Sequence, residues 1–199
     1  MIWAALGDQR VRAWPNGRAR CPCCAAEVHA KCGHIVVWHW AHIVDDCDPW
    51  YEPESQWHLG WKQRFPDDWQ EIAVGAHRAD VKTPKLVVEL QAGTLSKPEI
   101  MERESHYRNM VWLIRGEGFA DNLRIRNRGD HVTFRWKWPR KSWWAATSPM
   151  VFDLGDSLLH VRKIYPEVPC GGWGNWISIP RFLQRCGLIE KSVVIQKEA

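Results

Sequence analysis

No run of the 199-residue chain approaches the roughly 20 apolar residues that a membrane-spanning helix requires, so no membrane partner is expected. The opening "MIWAALGDQRVRAW" meets Asp8 and Arg10 after a brief apolar start and lacks the core of a signal peptide. Internal repeats and low-complexity linkers are also missing, which excludes a stacked-repeat array and a flexible tether. An even disulfide framework is missing too. Seven cysteines, five of them crowded as Cys21, Cys23, Cys24, Cys32 and Cys47, suit a metal site in a reducing compartment. The expectation is a cytoplasmic protein.

With 45% hydrophobic residues, the chain has enough apolar material for one sizeable core, with room for a small satellite module. The net charge of +4 is mild but unevenly placed. From Arg115 to Lys141 eight Lys/Arg stand against Glu117, Asp121 and Asp130, so an acidic polymer is the natural partner, although a solvated face has the same composition.

Along the chain, "MIWAAL" and "RVRAW" read as a hairpin turning at Gly7-Asp8. From Pro53, "PESQWHLGWKQRF" reads as a helix that places Glu54, His58 and Lys62 on one face and Trp57 and Trp61 on another, with Gly60 weakening it. "QEIAVGAH", "RADVKT" and "KLVVELQ" follow as strands. A helix opens at Ser96 with a capping-box Glu99 and runs to about Asn109, and "MVWLIR" is a buried strand. This order predicts a mixed α/β core with one crossover. Beyond it, "LRIRNRGDHVTFRWKWP" and "VFDLGDSLLHVRKI" read as hairpins turning near Gly129 and Gly155, and "GNWISIPRFLQRCG" as a short terminal helix. The expected divisions are 1–50, a hairpin and metal-binding module; 51–118, the core; and 119–199, a basic, Trp-rich β region.

In "RADVKTPKLVVELQ", alternation points Glu89 and Gln91 the same way as Val87, while Leu86, Val88 and Leu90 face a core. A turn near Pro84 sets Asp80 opposite residue 88 or 89, which brings two carboxylates together. Such a pair is relieved by a shared proton or a cation, and hard ions such as Mg2+ or Mn2+ prefer these oxygens. Glu54 on the preceding helix is placed to complete the shell. Surface salt bridges to Arg78 and Lys82 are the bland alternative.

In "CPCCAAEVHAKCGHIVVWHWAH", Cys21 and Cys24 form a C-x-x-C knuckle, and His39 and His42 an H-x-x-H pair after the apolar strand "IVVW". Two thiolates and two imidazoles suit a structural tetrahedral zinc site, with Cys23, Cys32, His29 and His34 as competing ligands. Cys47, Cys170 and Cys186 read as core thiols.

The stretches "MIWAAL" with "VRAW", "CPCC", "HWAH", "ESQWH", "RADV", "VELQAG", and the helix carrying Arg103 and Tyr107 before "VWLI" together resemble the competence protein CoiA-like family. The resemblance covers roughly residues 1 to 115. It implies a PD-(D/E)XK-type nuclease core beside a zinc-ribbon-like N-terminal module; with the C-terminal hairpins and short helix read above, the expected fold is α/β (α+β). It implies that Asp80 and Glu89 hold Mg2+ or Mn2+, that Glu54 assists, and that Gln91 stands where the general pattern has lysine. A neutral amide cannot replace a lysine's charge, so Lys62 or Lys82 is the candidate to supply it. His58 is either a proton carrier or a supporting core histidine.

Fifteen tryptophans is a high count, and "RWKWPRKSWW" alternates cations with indoles. Arg135, Lys137, Arg140 and Lys141, with Lys62, Arg78 and Lys82, are the expected DNA contacts, with bases stacking on the indoles. An amphipathic strand that covers a core has the same pattern. The leading expectation is a Mg/Mn-dependent deoxyribonuclease acting on single-stranded or duplex DNA. A DNA-binding or recombination accessory that keeps the fold without turnover, or one that docks recombination or phage proteins, is the alternative.

Overall fold

The computed structural model describes residues 1–35, 37–44, 47–50 and 52–188. Strands β1 (Trp3–Leu6) and β2 (Gln9–Arg12) form the expected hairpin, with Gly7 in the left-handed region at φ +59 where glycine is cheapest. With β3 (Arg18–Arg20), β4 (Glu27–Lys31) and β5 (His39–His42) they form a five-stranded sheet in the order β2-β1-β3-β4-β5. Its core holds Met1, Ala4, Val28 and Trp40. The expected strand "IVVW" is displaced. Val36 lies outside the described residues, Ile35 and Trp38 are exposed, and pairing starts at His39, where β5 meets β4.

Helix α1 (Gln56–Lys62) starts where Ser55 caps it by accepting the His58 backbone N–H, three residues later than Pro53 suggested. Strands β6 (Gln70–Val74), β7 (His77–Lys82) and β8 (Val87–Gln91) make an antiparallel meander. Helix α2 (Lys97–Tyr107) carries the Ser96–Glu99 capping box, then crosses over so that β9 (Met110–Arg115) lies parallel to β8. The later hairpins are β10 (Leu123–Asn127) with β11 (Val132–Trp136), and β12 (Met150–Asp153) with β13 (Leu158–Tyr165).

The segment expected as a terminal helix divides in two: its first half belongs to strand β14 (Gly171–Ile177), and α3 (Ile179–Cys186) starts only after the Ser178 cap. The glycines hide the strand from composition, yet they are needed in it. A Cβ at Gly172 would stand 2.1 Å from the Lys163 carbonyl oxygen.

All of β6 to β14 join one nine-stranded sheet in the order β10-β11-β14-β13-β12-β9-β8-β7-β6. The sheet therefore runs across the boundary expected at residue 118. The chain is a sheet-dominated α+β fold. Val87, Trp112, Phe152 and Ile100 of α2 pack on one face of the sheet, and Val88, Leu90, Leu113, Trp61 and Phe182 of α3 on the other. Both faces of β8 are thus covered, and all five of its residues, Glu89 and Gln91 included, are buried.

Candidate active site and metal centre

Acidic side chains collect where the ladders of β6, β7 and β8 are interrupted. Between β6 and β7 the pairs Gln70↔Val81 and Ile72↔Ala79 enclose Glu71 and Asp80, which form no pair; between β7 and β8 the pairing ends at Val81↔Val88. Glu71 has φ +49, a strained conformation for a side chain of its size. Carboxylates take over the freed backbone groups: Asp80 Oδ2 accepts the Leu90 N–H at 2.9 Å, and Glu89 Oε1 accepts the Asp80 N–H at 3.3 Å. Each carboxylate thus bonds the backbone beside the other.

Two buried cations hold this group. Lys62 Nζ donates to Glu54 Oε2 and Glu71 Oε1, each at 2.9 Å, and lies 3.2 Å from Asp80 Oδ1. Arg103 of α2 pairs with Glu89 Oε2 at 3.3 Å and donates to the Trp50 carbonyl at 3.0 Å. Lys62, expected to touch DNA, is buried with its charge committed to three carboxylates. His58 and Lys62 share the buried side of α1, while Glu54 stands just before the Ser55 cap, outside the helix, and meets Lys62 from there.

Glu71 escaped sequence reasoning because its strand reads as an ordinary edge segment. Its Oε2 accepts the backbone N–H groups of Ile2 and Trp3 at 2.7 and 2.9 Å, so it ties the N-terminal sheet to the Lys62 cluster. Burial works to raise its pKa, but Lys62, Arg78 and the Trp3 N–H overcome that and hold it far below the usual carboxylate range.

Glu52 was also missed. It receives the Gln91 side-chain amide, lies near the Ala92 N–H at 3.4 Å, and stands 3.5 Å from His58 Nε2, whose Nδ1 meets Ser55 Oγ at 2.8 Å. Burial disfavours the imidazolium, yet Glu52 and Asp80 raise the His58 pKa. Glu89 is pushed up to about 8, by burial first and by Asp80 second, against the pull of Arg103. Burial likewise raises Glu54. Among the described residues, Gln91 Oε1 and Glu54 Oε1 are buried without a hydrogen-bond partner.

A small, partly open pocket lies among these groups. Its described lining includes six carboxylates (Asp48, Glu52, Glu54, Glu71, Asp80 and Glu89) against the permanent cations Lys62, Arg78 and Arg103. Arg78 is half-buried and lines this cavity, and its backbone N–H donates to Asp48 Oδ2 at 2.7 Å. Lys82 is half-buried on the same strand. Among the later cations, Arg135, Lys137 and Lys141 are exposed. Arg140 is half-buried and donates to the Gly93 carbonyl at 3.3 Å. Trp136 and Trp143 belong to the core, which rules them out as stacking platforms, whereas Trp138 is 68% exposed with Lys137 over its ring.

In the N-terminal sheet, Cys21, Cys24, His42 and Cys47 bring their ligand atoms within 4.8 Å of one another, the only such group of three or more among the described residues. His39 is not a member. Residues three apart on a strand face opposite ways, so His42 shares the side of Trp40 while His39 turns away, its Nδ1 2.7 Å from the Val37 carbonyl oxygen. Cys47, read from the sequence as a core thiol, takes the fourth corner, 3.7 Å from the Cys21 sulfur. The hydrogen bond from Cys23 above all, aided by backbone N–H groups, brings the Cys21 thiol down to about 4, while burial and the neighbouring sulfurs push Cys47 up to about 12.

Residues 8–48 match the family model for the competence protein CoiA N-terminal domain. The match spans β2 to β5 and contains all four members of the Cys/His group, so the matched segment and the candidate metal centre coincide. No curated protein and no solved structure matches the chain. Among the described residues, no helix is long and apolar enough to cross a membrane.

Proposed function

We propose that the chain is a Mg2+- or Mn2+-dependent deoxyribonuclease with a PD-(D/E)XK-type core, knitted to a zinc-bearing CoiA module. The observation that carries the reading is the charge imbalance of the cavity, six carboxylates against three permanent cations. Raised pKa values at Glu89 and Glu54 and the partnerless oxygen of Glu54 fit a missing divalent ion better than a finished salt-bridge network. Asp80 and Glu89 would hold the ion, with Glu54 assisting from the start of α1. When bound, it supplies Lewis-acid polarisation of a phosphodiester and an acidified water.

The chain's own residues have separable tasks. Arg103 fixes Glu89, and Lys62 holds Glu54 and Asp80 at close range. His58, oriented by Ser55 and Glu52, holds a proton at Nε2 for the departing oxygen. Three soft thiols and one imidazole suit tetrahedral zinc in the CoiA module, where it would hold together a sheet with few core residues.

One observation favours a second reading, a DNA-binding accessory in uptake or recombination without turnover. Gln91 spends its amide on Glu52, and Lys62 is shared among carboxylates, so neither presents a free charge to a phosphate.

Purified protein incubated with single-stranded, duplex and nicked DNA, with and without Mn2+, tests the choice. Metal-dependent cleavage that Glu89→Ala abolishes supports the nuclease. Cleavage that survives Glu89→Ala removes this site from the mechanism, and binding without cleavage in any metal selects the accessory reading.

A further inference from the structure

The four strands β10, β11, β14 and β13 form one end of the large sheet, and none of them contains an aspartate or glutamate. They do contain Arg124, Arg126, Arg135, Arg162 and Lys163, all exposed. Residues directly opposite in adjacent strands share a face, so the registers can be followed straight across. One row runs Arg124, Arg135, Gly171, Tyr165, and the next runs Arg126, Thr133, Trp173, Lys163. The inward residues Leu123, Phe134 and Trp136 belong to the core, so both rows face outward.

Two features fit this face to an anion. Arg124 and Arg135 are paired directly across the ladder, an arrangement of like charges that costs stability unless something negative lies over it. At the end of the same row, a surface groove of about 340 Å³ is lined by Arg124, Arg135 and Lys137 beside Trp136 and the Val168–Cys170 turn, with no carboxylate among the described residues of its lining. The aromatic members give the face a second chemistry. Trp173 is half-buried with His131 edge-on at 5.8 Å, Tyr165 is exposed beneath Lys163 Nζ at 5.3 Å, and Gly171 adds no side chain between Arg135 and Tyr165. Cations that follow phosphates, alternating with rings that accept unstacked bases, are what a β-sheet needs to hold a single strand. A rigid duplex keeps its bases stacked and has no use for Trp173 and Tyr165.

We infer that the outer face of β10-β11-β14-β13 binds single-stranded DNA, with Arg124, Arg126 and Arg135 on phosphates and Trp173 and Tyr165 beneath bases. The choice of DNA rests on the nuclease or DNA-accessory reading above; the single-stranded preference and the location do not.

The full chain, in buffer without Mg2+ or Mn2+ so that no cleavage occurs, would be titrated against a fluorescent 20-nucleotide poly-dT by anisotropy at several salt concentrations. The double variant Arg124→Gln/Arg135→Gln is expected to bind at least tenfold more weakly and to lower the slope of log K against log salt by roughly two, one for each phosphate left without its arginine. Trp173→Leu is expected to weaken binding about tenfold with the salt slope unchanged. Arg181→Gln, on exposed α3, is the control and leaves affinity within twofold of wild type. Because the double variant relieves a like-charge pair, its melting midpoint should not fall, which separates lost binding from lost folding. Undiminished affinity in the double variant, or tighter binding of a 20-base-pair duplex or an equal-length RNA, overturns the proposal. Binding that behaves as expected without any cleavage in Mn2+ removes the nuclease and leaves this face standing.

Discussion

Lys62 Nζ stands 3.2 Å from Asp80 Oδ1, at the centre of a buried cluster in which it also holds Glu54 and Glu71 at 2.9 Å. One ammonium thereby joins the helix, two strands of the large sheet and, through Glu71, the backbone of β1. The same contact gives the candidate site its dual character, since the residue that stabilises the fold is also the cation nearest the proposed metal carboxylates.

Lys62→Met should therefore be severely destabilising. It leaves the buried Glu54 and Glu71 and the half-buried Asp80 without their cation, a loss of about 3–5 kcal/mol, or a fall of roughly 10 °C in melting midpoint for a chain of this size. The pH dependence has a definite sign. The Lys62 pKa is raised in the fold, so its contribution is complete below its unfolded value and is lost only as pH rises through the higher folded one. Glu71 is depressed, so its contribution exists above its unfolded value and disappears as pH falls through the folded one. Melting curves of wild type and variant should thus differ most near neutrality and converge in acid. A constant gap from neutral to strongly acidic pH would show that Lys62 acts through packing instead.

Glu89 behaves in the opposite way from Glu71. Its folded pKa of about 8 lies above an unfolded value near 4, so the fold favours the protonated carboxyl, and its contribution is complete in acid and lost as pH rises towards 8. Glu89→Gln, which keeps the shape without the charge, should melt higher than wild type at pH 8 in EDTA, with the gain shrinking to nothing near pH 4. Thermal melts across that range check it, and a Gln variant less stable than wild type at pH 8 would mean that Arg103 more than compensates the buried charge.

Much of this arrangement is legible in the sequence, for identifiable reasons. Alternation along "KLVVELQ" places Glu89 with Gln91 and Val87, and the Thr-Pro-Lys turn brings Asp80 to it, because strand parity and hairpin closure are local rules. Glu71 and Glu52 are invisible at that level. The first depends on a positive φ that interrupts a ladder, the second on a loop that meets Ala92 and His58 only after folding. The mistaken ligand His39 has a different origin: the short H-x-x-H spacing suits a helix or a turn, but on the strand that forms there it sends the two rings to opposite faces.

That correction yields a discriminating pair of variants. If the Cys/His group binds zinc as proposed, Cys47→Ser should lower the zinc content and the melting midpoint, while His39→Ala should leave metal content at one equivalent. Zinc analysis of the two purified variants decides between the ligand sets. Metal lost from His39→Ala and kept by Cys47→Ser would restore the H-x-x-H pair.

Asp153 offers a test of how the site is held from a distance. Its Oδ2 accepts both indole N–H groups of α1, Trp57 at 2.8 Å and Trp61 at 2.7 Å, and its Oδ1 accepts the Gly155 N–H at 3.0 Å. The four-residue spacing of the tryptophans puts both donors on one side of α1, and the carboxylate at the end of β12 anchors the helix that carries His58 and Lys62. Asp153→Ala strands two donors that have little or no access to water, at about 1–3 kcal/mol each, whereas Asp153→Asn retains an acceptor and should recover part of the loss. Hydrogen exchange of the backbone amides of residues 56–62 is the sensitive readout, because weakening the anchor frees α1 locally before the sheet unfolds. Exchange should quicken strongly in Asp153→Ala and modestly in Asp153→Asn. If α1 exchanges at the wild-type rate in both, the indole contacts are not what seats the helix, and Lys62 with its three carboxylates must hold it alone.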